Sequence, residues 1–170
     1  QNASTVGLLD LKMLSQKNEN DFIFFDKLSS SKFKFLYLLG SDNLEIKKNN
    51  EFVVYQGSHG DRGAELADVI LPSASYTEQN GLYSNLEGRV QECKKANYPI
   101  VDSLEDWKIF NLILKKLGKK DSLNNFEKLR KEATDSIINF SQINDLPNKI
   151  ISKNKKITAN FISEEILIRK

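Results

Sequence analysis

The 170-residue chain has one cysteine, one histidine, three prolines and, among its 25 basic residues, only four arginines. Cys93 and His59 cannot between them build a disulfide, a zinc site or an iron–sulfur cluster, each of which needs a pair or several such ligands. Any metal or cluster is therefore expected in a neighbour. An excess of charge is missing too: 25 basic against 23 acidic residues leave a net +2, too weak a field to demand nucleic acid or an anionic membrane. No run approaches the roughly 18 uninterrupted apolar residues of a membrane span. The opening Gln1-Asn2-Ala3-Ser4 has neither a secretory core nor an Arg-rich transit pattern. With 39% apolar and 28% charged residues, the expectation is one soluble globular domain of ordinary size.

What is abundant is Lys, with Asn at 17 and Ile at 15 residues. Their codons are A/T-rich, so the bias implies an AT-rich genome and favours an organelle, a reduced bacterium or certain protists. The chain begins with Gln rather than Met, as expected of a processed product, a fragment or a numbering that omits residues.

Periodicity predicts an α/β fold. An apolar run over Phe33–Leu39, ended by Gly40, reads as a strand buried on both faces, and Phe52–Tyr55 as a second. The dozen or so residues between them suit a crossover through one short helix, with Ser41 and Asp42 as caps. A third strand, Val69–Leu71, is expected to stop at Pro72, after a short helix over Ala64–Ala67. Strand, helix, strand, helix, strand is the pattern of an open, mostly parallel sheet with flanking helices, which places ligands at the carboxyl ends of its strands. Beyond Glu78, Asn80-Gly81 offers a turn, and Leu82–Ser84 with Arg89–Gln91 offers a hairpin-like segment around Glu87-Gly88. C-terminal helices follow. Ser103 and Asp106 resemble a capping box for a helix with Trp107, Phe110, Ile113, Leu114 and Leu117 on one face, closed by Gly118. A second helix over Leu123–Phe140 carries Phe126, Leu129, Ala133, Ile137 and Phe140 on its stripe. It ends before Asp145-Leu146-Pro147; a Lys-rich stretch (Lys149, Lys153, Lys155, Lys156) and an amphipathic piece over Phe161–Ile168 complete the chain.

Few residues suggest chemistry. His59 has Ser58, Asp61 and Arg62 beside it but no nucleophile with a paired base, so the expectation is an imidazole that binds its loop or a partner. Gly57, Gly60 and Gly63 follow a strand with G-x-x-G-x-x-G spacing rather than the dinucleotide fingerprint, and are expected to permit positive φ at a tight crossover. Asp61, Glu65 and Asp68 fit an exposed helix start, where carboxylates complement the dipole, better than a cation site. Cys93 reads as a bystander thiol. The lysine run lacks the interleaved aromatics of a nucleic-acid site and reads as a solvated or subunit-contact strip.

The continuous stretch from Val54 to Glu78, with its core Tyr55-Gln56-Gly57-Ser58-His59-Gly60-Asp61 and its close Ala67-Asp68-Val69-Ile70-Leu71-Pro72, resembles the large iron–sulfur subunit family of respiratory complex I. So do Asn85-Leu86-Glu87-Gly88-Arg89, Ala3-Ser4-Thr5-Val6-Gly7-Leu8-Leu9-Asp10-Leu11 and Glu105-Asp106-Trp107-Lys108-Ile109. The Ala67–Pro72 piece, Glu78 and the 85–89 motif are shared more widely with molybdopterin-dependent oxidoreductases such as formate dehydrogenases. The resemblance covers about residues 1–118, which it implies form a molybdopterin oxidoreductase-like α/β region; 119–170 would be a helical, Lys-rich extension packed on it or on a partner.

By this resemblance Gly57, His59, Gly60, Asp61, Ala67, Asp68, Pro72, Glu78, Asn85, Glu87, Gly88 and Arg89 are structural motif residues. Asp61, Glu78, Glu87 and Arg89 are expected to hold loops through ion pairs and hydrogen bonds. No catalytic, cofactor-binding or metal-binding residue is implied. In molybdenum enzymes the segment matching Gly81–Arg89 approaches the pterin, but a ligand pattern is missing here. Iron–sulfur clusters are expected in a partner or an N-terminal portion. The implied function is a non-catalytic structural part of the peripheral arm of NADH:ubiquinone oxidoreductase, on the matrix side of the mitochondrial inner membrane or the cytoplasmic face of a bacterial one. Its expected partners are the cluster-bearing portion of the same subunit and other peripheral-arm subunits, with no nucleic acid. The complete subunit is much longer than 170 residues, so a fragment or a separately encoded C-terminal half is expected, with its open sheet edges met by a partner chain. The competing reading is a C-terminal fragment of a molybdopterin-dependent oxidoreductase such as formate dehydrogenase.

Overall fold

The computed structural model describes residues 3–12, 30, 33–41, 47–119, 125–141 and 143. They divide into two compact units, one from residues 30–73 and the other from 3–12 and 74–143. The architecture is mixed α/β, with one parallel sheet, one antiparallel strand pair and helices. Among the described residues, no helix is long and apolar enough to cross a membrane.

The first unit is built on three parallel strands, β1 (Phe35–Leu39), β2 (Phe52–Gly57) and β3 (Val69–Pro72), in the order β1-β2-β3. Phe35 pairs with Phe52 and Leu39 with Gln56, while Val54 pairs with Val69 and Gly57 with Pro72. Because side chains alternate across a strand, Leu36, Leu38, Val53 and Tyr55 gather on one face as a buried cluster. Phe33, Ala64 and Ala67 pack against it. Each large apolar side chain buried there contributes about 1.5–3 kcal/mol. The helix between β2 and β3 is α2 (Arg62–Leu66), begun by Asp61 and ended by Ala67. β3 ends at Pro72, which is its last residue, beside Gly57; a proline is tolerated there because β3 is an edge strand of this sheet. Asp42, expected as a cap in the β1–β2 crossover, lies outside the described residues.

The second unit contains the antiparallel pair β4 (Gly81–Ser84) and β5 (Val90–Cys93), in register from Gly81 with Cys93 to Ser84 with Val90. Gly88 takes φ +81 in the connecting loop, a conformation that favours glycine. Asn80-Gly81 makes no turn: Gly81 opens β4, and Asn80 Oδ1 accepts from the Lys95 amide at 3.0 Å. The periodicity did not reveal α1 (Ala3–Asp10), which packs on β4 with Gly7 close to the Ser84 side chain.

The helix α3 (Asp106–Lys116) ends near Gly118, which has φ +75, as expected. Its start and its inner face differ from expectation. Glu105 is the N-cap, while Ser103 directs its amide (2.9 Å) and hydroxyl (2.8 Å) at the Ile100 carbonyl, closing a turn rather than capping the helix. Ile109 is the buried residue of α3, whereas Phe110, Leu114 and Leu117 are exposed. Helix α4 (Phe126–Ser136) begins where Asn125 accepts from the Lys128 amide at 2.9 Å and stops at Ile137. Phe140 therefore lies in a 3₁₀ turn, Ile138–Ser141, rather than in the same helix. Arg130 ties α4 to β5 through Glu92 at 3.0 Å. The chain beyond Ile143, including Asp145-Leu146-Pro147, the lysine run and Phe161–Ile168, lies outside the described residues.

Candidate functional site

The carboxyl end of β2 is organised around Tyr55, which is 1% exposed. Its ring lies on the core face of the sheet, and its hydroxyl donates to the His59 carbonyl at 2.9 Å, folding residues 55–59 back on themselves. Gly63 lies so close that a Cβ there would come within 2.7 Å of the Tyr55 ring and 2.5 Å of the Ser41 carbonyl. A Cβ on Gly57 would overlap the Tyr55 hydroxyl, whereas one on Gly60 would meet nothing. Positive φ is found at Gly40, Gly88 and Gly118 and not at these three positions. The expected conformational reason for Gly57, Gly60 and Gly63 is thus replaced, for Gly57 and Gly63, by a steric one. One residue further along β2, buried Gln56 accepts a hydrogen bond from the Tyr37 hydroxyl.

His59 stands exposed on the loop with Nδ1 3.0 Å from Ser58 Oγ, a contact between sequence neighbours that orients the ring. Asp61 opens α2 without a side-chain cap, its carbonyl accepting from Ala64 and Glu65. Asp68, expected with Asp61 and Glu65 at a helix start, instead lies past the end of α2. Its Oδ2 accepts the Val53 amide at 2.7 Å, and its Oδ1 meets Lys48 Nζ at 2.6 Å. The hydrogen bond from Lys48, then that from Val53, holds the Asp68 carboxyl below the usual range. Ala67 packs on the core, and Pro72 ends β3.

In the other unit, Glu78 Oε2 accepts from the Ser75 amide at 3.1 Å and closes its own turn. Asn85 is the centre of the β4–β5 loop: Oδ1 accepts from the Glu87 amide at 3.0 Å and from the Arg89 amide at 2.9 Å, and its own amide donates to the Arg89 carbonyl at 3.0 Å. Glu87 and Arg89 thus join the loop through their backbones, with Gly88 providing the left-handed step.

Sequence reasoning did not single out a polar cluster at the start of α3. Gln79, 6% exposed, donates to Ala74 O (3.4 Å) and Asp106 Oδ2 (3.2 Å) and accepts from the Asp106 amide at 3.2 Å. Buried Glu105 accepts from Trp107 Nε1 at 3.0 Å and Lys108 Nζ at 2.9 Å, with Lys95 Nζ at 3.6 Å. Burial opposes ionisation of Glu105, but the hydrogen bonds from Lys108 and Trp107 and the nearby cations outweigh it and hold the carboxyl below its usual range. The Glu105–Lys108 spacing was a local hint; Gln79, 27 residues from its partner, offered none.

A molybdenum–pterin group, which the wider resemblance brings into question, needs donor atoms turned towards it. Asn85 Oδ1 already serves two amides of its own loop, and Cys93 Sγ points at the Lys94 carbonyl, 3.9 Å away. Among the described residues, no three His, Cys, Asp or Glu side chains gather as a metal site. These donors do not fit the group. What the arrangement does is close loops, the polar groups of the motif serving neighbouring backbone.

Comparison with known proteins places the chain in a family. Over 170 positions the chain is 41% identical to the NADH-ubiquinone oxidoreductase 75 kDa subunit of Reclinomonas americana, covering 98% of this chain and 23% of that protein. It is 38% identical over 169 positions to the G subunit of NADH-quinone oxidoreductase from Rickettsia typhi, covering 99% of this chain and 22% of that protein. A further relative is the mitochondrial iron-sulfur protein 1 of NADH dehydrogenase (ubiquinone) from Solanum tuberosum, 40% identical over 119 positions, which are 69% of this chain and 15% of that protein. The chain thus spans less than a quarter of the length of the curated relatives it matches. Residues 1–116 match the family model described as molybdopterin oxidoreductase, and the chain belongs to that family.

Proposed function

We propose that this chain is a structural part of the peripheral arm of respiratory complex I, NADH:ubiquinone oxidoreductase. In this role it supports the cluster-bearing portion of the same subunit and carries no cofactor of its own. The observation that carries the reading is identity of 38–41% along nearly the whole chain to proteins named as the 75 kDa and G subunits of such oxidoreductases. It is supported by the loops around Tyr55, Asn85 and Gln79, whose polar groups serve the fold rather than an open site. In a mitochondrion the chain would stand on the matrix side of the inner membrane, and in a bacterium on the cytoplasmic face of the respiratory membrane. A separately encoded C-terminal half of the subunit fits the proposal as well as one portion of a single long chain does.

The test is native isolation through a tag on this chain, with mass spectrometry of its partners and metal analysis of the same sample. Recovery of complex I subunits with iron and without molybdenum is the expected result. Molybdenum and pterin in an assembly lacking complex I subunits would overturn it in favour of a molybdopterin-dependent oxidoreductase. If the cluster-bearing portion arrives as a separate polypeptide, the subunit is encoded in pieces.

A further inference from the structure

One face of the parallel sheet carries the buried cluster of this unit, although Ile70, beside Tyr55 on that face, is itself 52% exposed. Leu36, Leu38, Val53 and Tyr55 face Ala64 and Ala67 at α2, so strand alternation assigns Phe35, Tyr37, Phe52, Val54 and Val69 to the other face. The register agrees, placing Phe35 beside Phe52 and Val54 beside Val69. On this second face Val54 is 8% exposed, but at the amino ends of the strands Phe35 is 55%, Phe52 49% and Val69 40% exposed. The Phe35 and Phe52 rings stack at 6.4 Å with planes 18° apart. Together they make a continuous apolar strip at the start of the sheet.

Two physical rules make this strip unusual. Parallel sheets bury both faces, since a strand pair of this kind leaves almost no polar alternation for water. Their right-handed crossovers cover a face only on the side to which they return, and α2, which joins β2 to β3, lies on the Leu36–Tyr55 side. The second face of a doubly wound sheet is covered by helices belonging to strands wound the other way, which the three strands among the described residues do not supply.

We propose that Phe35, Phe52 and Val69 are a docking face for an apolar helix supplied by the polypeptide that makes up the rest of the longer family members. The occupant follows from chain length: nearly all of this chain corresponds to only 22–23% of those relatives, so most of the family polypeptide lies outside it. A helix is the element that packs on a parallel sheet. This inference rests on the complex I reading, because that reading supplies the polypeptide in question.

The experiment places the photo-reactive analogue p-benzoylphenylalanine at position 35 or 52 of the tagged chain, irradiates the native assembly and maps the linked peptides. The expected product is a link to a helical segment of the cluster-bearing polypeptide, whether continuous with this chain or separate from it. Alongside it, the double variant Phe35→Ser with Phe52→Ser should lower recovery of that polypeptide roughly tenfold or more, as loss of a central apolar contact does. The positions are exposed in this chain, and retention of the wild-type far-UV circular dichroism would show that its own fold survives. Links only to a second copy of this chain, or none at all in an assembly that does contain complex I subunits, would overturn the docking face and leave the complex I reading standing. An assembly without complex I subunits would overturn the reading itself.

Discussion

Val53 and Asp68 hold each other twice: the Asp68 amide donates to the Val53 carbonyl at 2.8 Å, and Asp68 Oδ2 accepts the Val53 amide at 2.7 Å. The pair fixes the entry into β3 and so the register in which Val69 lies beside Val54. Lys48 completes the arrangement on the other carboxylate oxygen.

Acid sensitivity follows from that carboxylate. Its folded-state pKa is depressed, so it stabilises the fold above the ordinary aspartate value of about 3.9 and ceases to do so as pH falls through the lower folded value. The expected thermal midpoint is flat between about pH 7 and 5 and falls below about pH 4. Asp68→Asn should lower the midpoint at pH 7 and reduce the acid-induced drop; high salt should weaken the Lys48 contribution, since the ion pair is partly exposed. An unchanged acid profile in Asp68→Asn would show that other carboxylates set it.

Trp107, the single tryptophan, reports directly on the cluster at the start of α3. Glu105→Gln keeps an acceptor for Trp107 Nε1 but removes the charge facing Lys108 and Lys95. Replacing a buried charged acceptor in this way should cost about 1–3 kcal/mol, read by urea unfolding followed through Trp107 fluorescence. Glu105→Ala should cost more and shift the native emission, because the indole N–H loses its partner.

Gln79 should act as a remote cap for the same helix. Gln79→Leu fills the space but leaves the Asp106 amide and the Ala74 carbonyl without this partner, a loss of about 1–3 kcal/mol. Amide hydrogen exchange should quicken first at Asp106, with the middle of α3 affected less. Uniform loss of protection throughout the helix would point instead to global destabilisation.

The glycine loop offers a paired comparison. Gly63→Ala drives a methyl group towards the Ser41 carbonyl and the Tyr55 ring, and overpacking of this kind costs about 1–3 kcal/mol. Gly60→Ala meets open space and should leave the thermal midpoint within a degree or so of wild type. Equal effects from the two substitutions would show that loop conformation, not the approach of Tyr55, sets the need for glycine.

Much of this architecture was legible along the chain. The runs over residues 33–39 and 52–55 announced parallel strands because apolar side chains in succession have few other uses in so short a segment; the first strand begins two residues later, at Phe35. Gly118 and Gly88 announced chain reversals. The periodicity of α3 was equally plain, yet its inner face was misassigned: a helical period defines stripes, and only packing chose Ile109 over Phe110, Leu114 and Leu117. Helix α1 escaped notice because Gly7 argues against a helix locally, whereas its value lies in the close approach to Ser84. The motif around Tyr55 was recognisable as a string of letters, but the steric reason for Gly57 and Gly63 needed the position of the aromatic ring.

The sequence by itself determined the α/β class, the parallel order implied by two crossover-length connections, the lack of a cluster-ligating cysteine set and the likeness to a family. These are properties of composition, local period and chain length. Tertiary structure alone decided which glycines are steric, which carboxylates are structural and which apolar residues of the described sheet are exposed. Asp68 meets Val53, Gln79 meets Asp106 and Phe35 meets Phe52 across 15, 27 and 17 residues respectively. Contacts at such separations depend on how the strands and helices are assembled, and no local pattern of side chains encodes them.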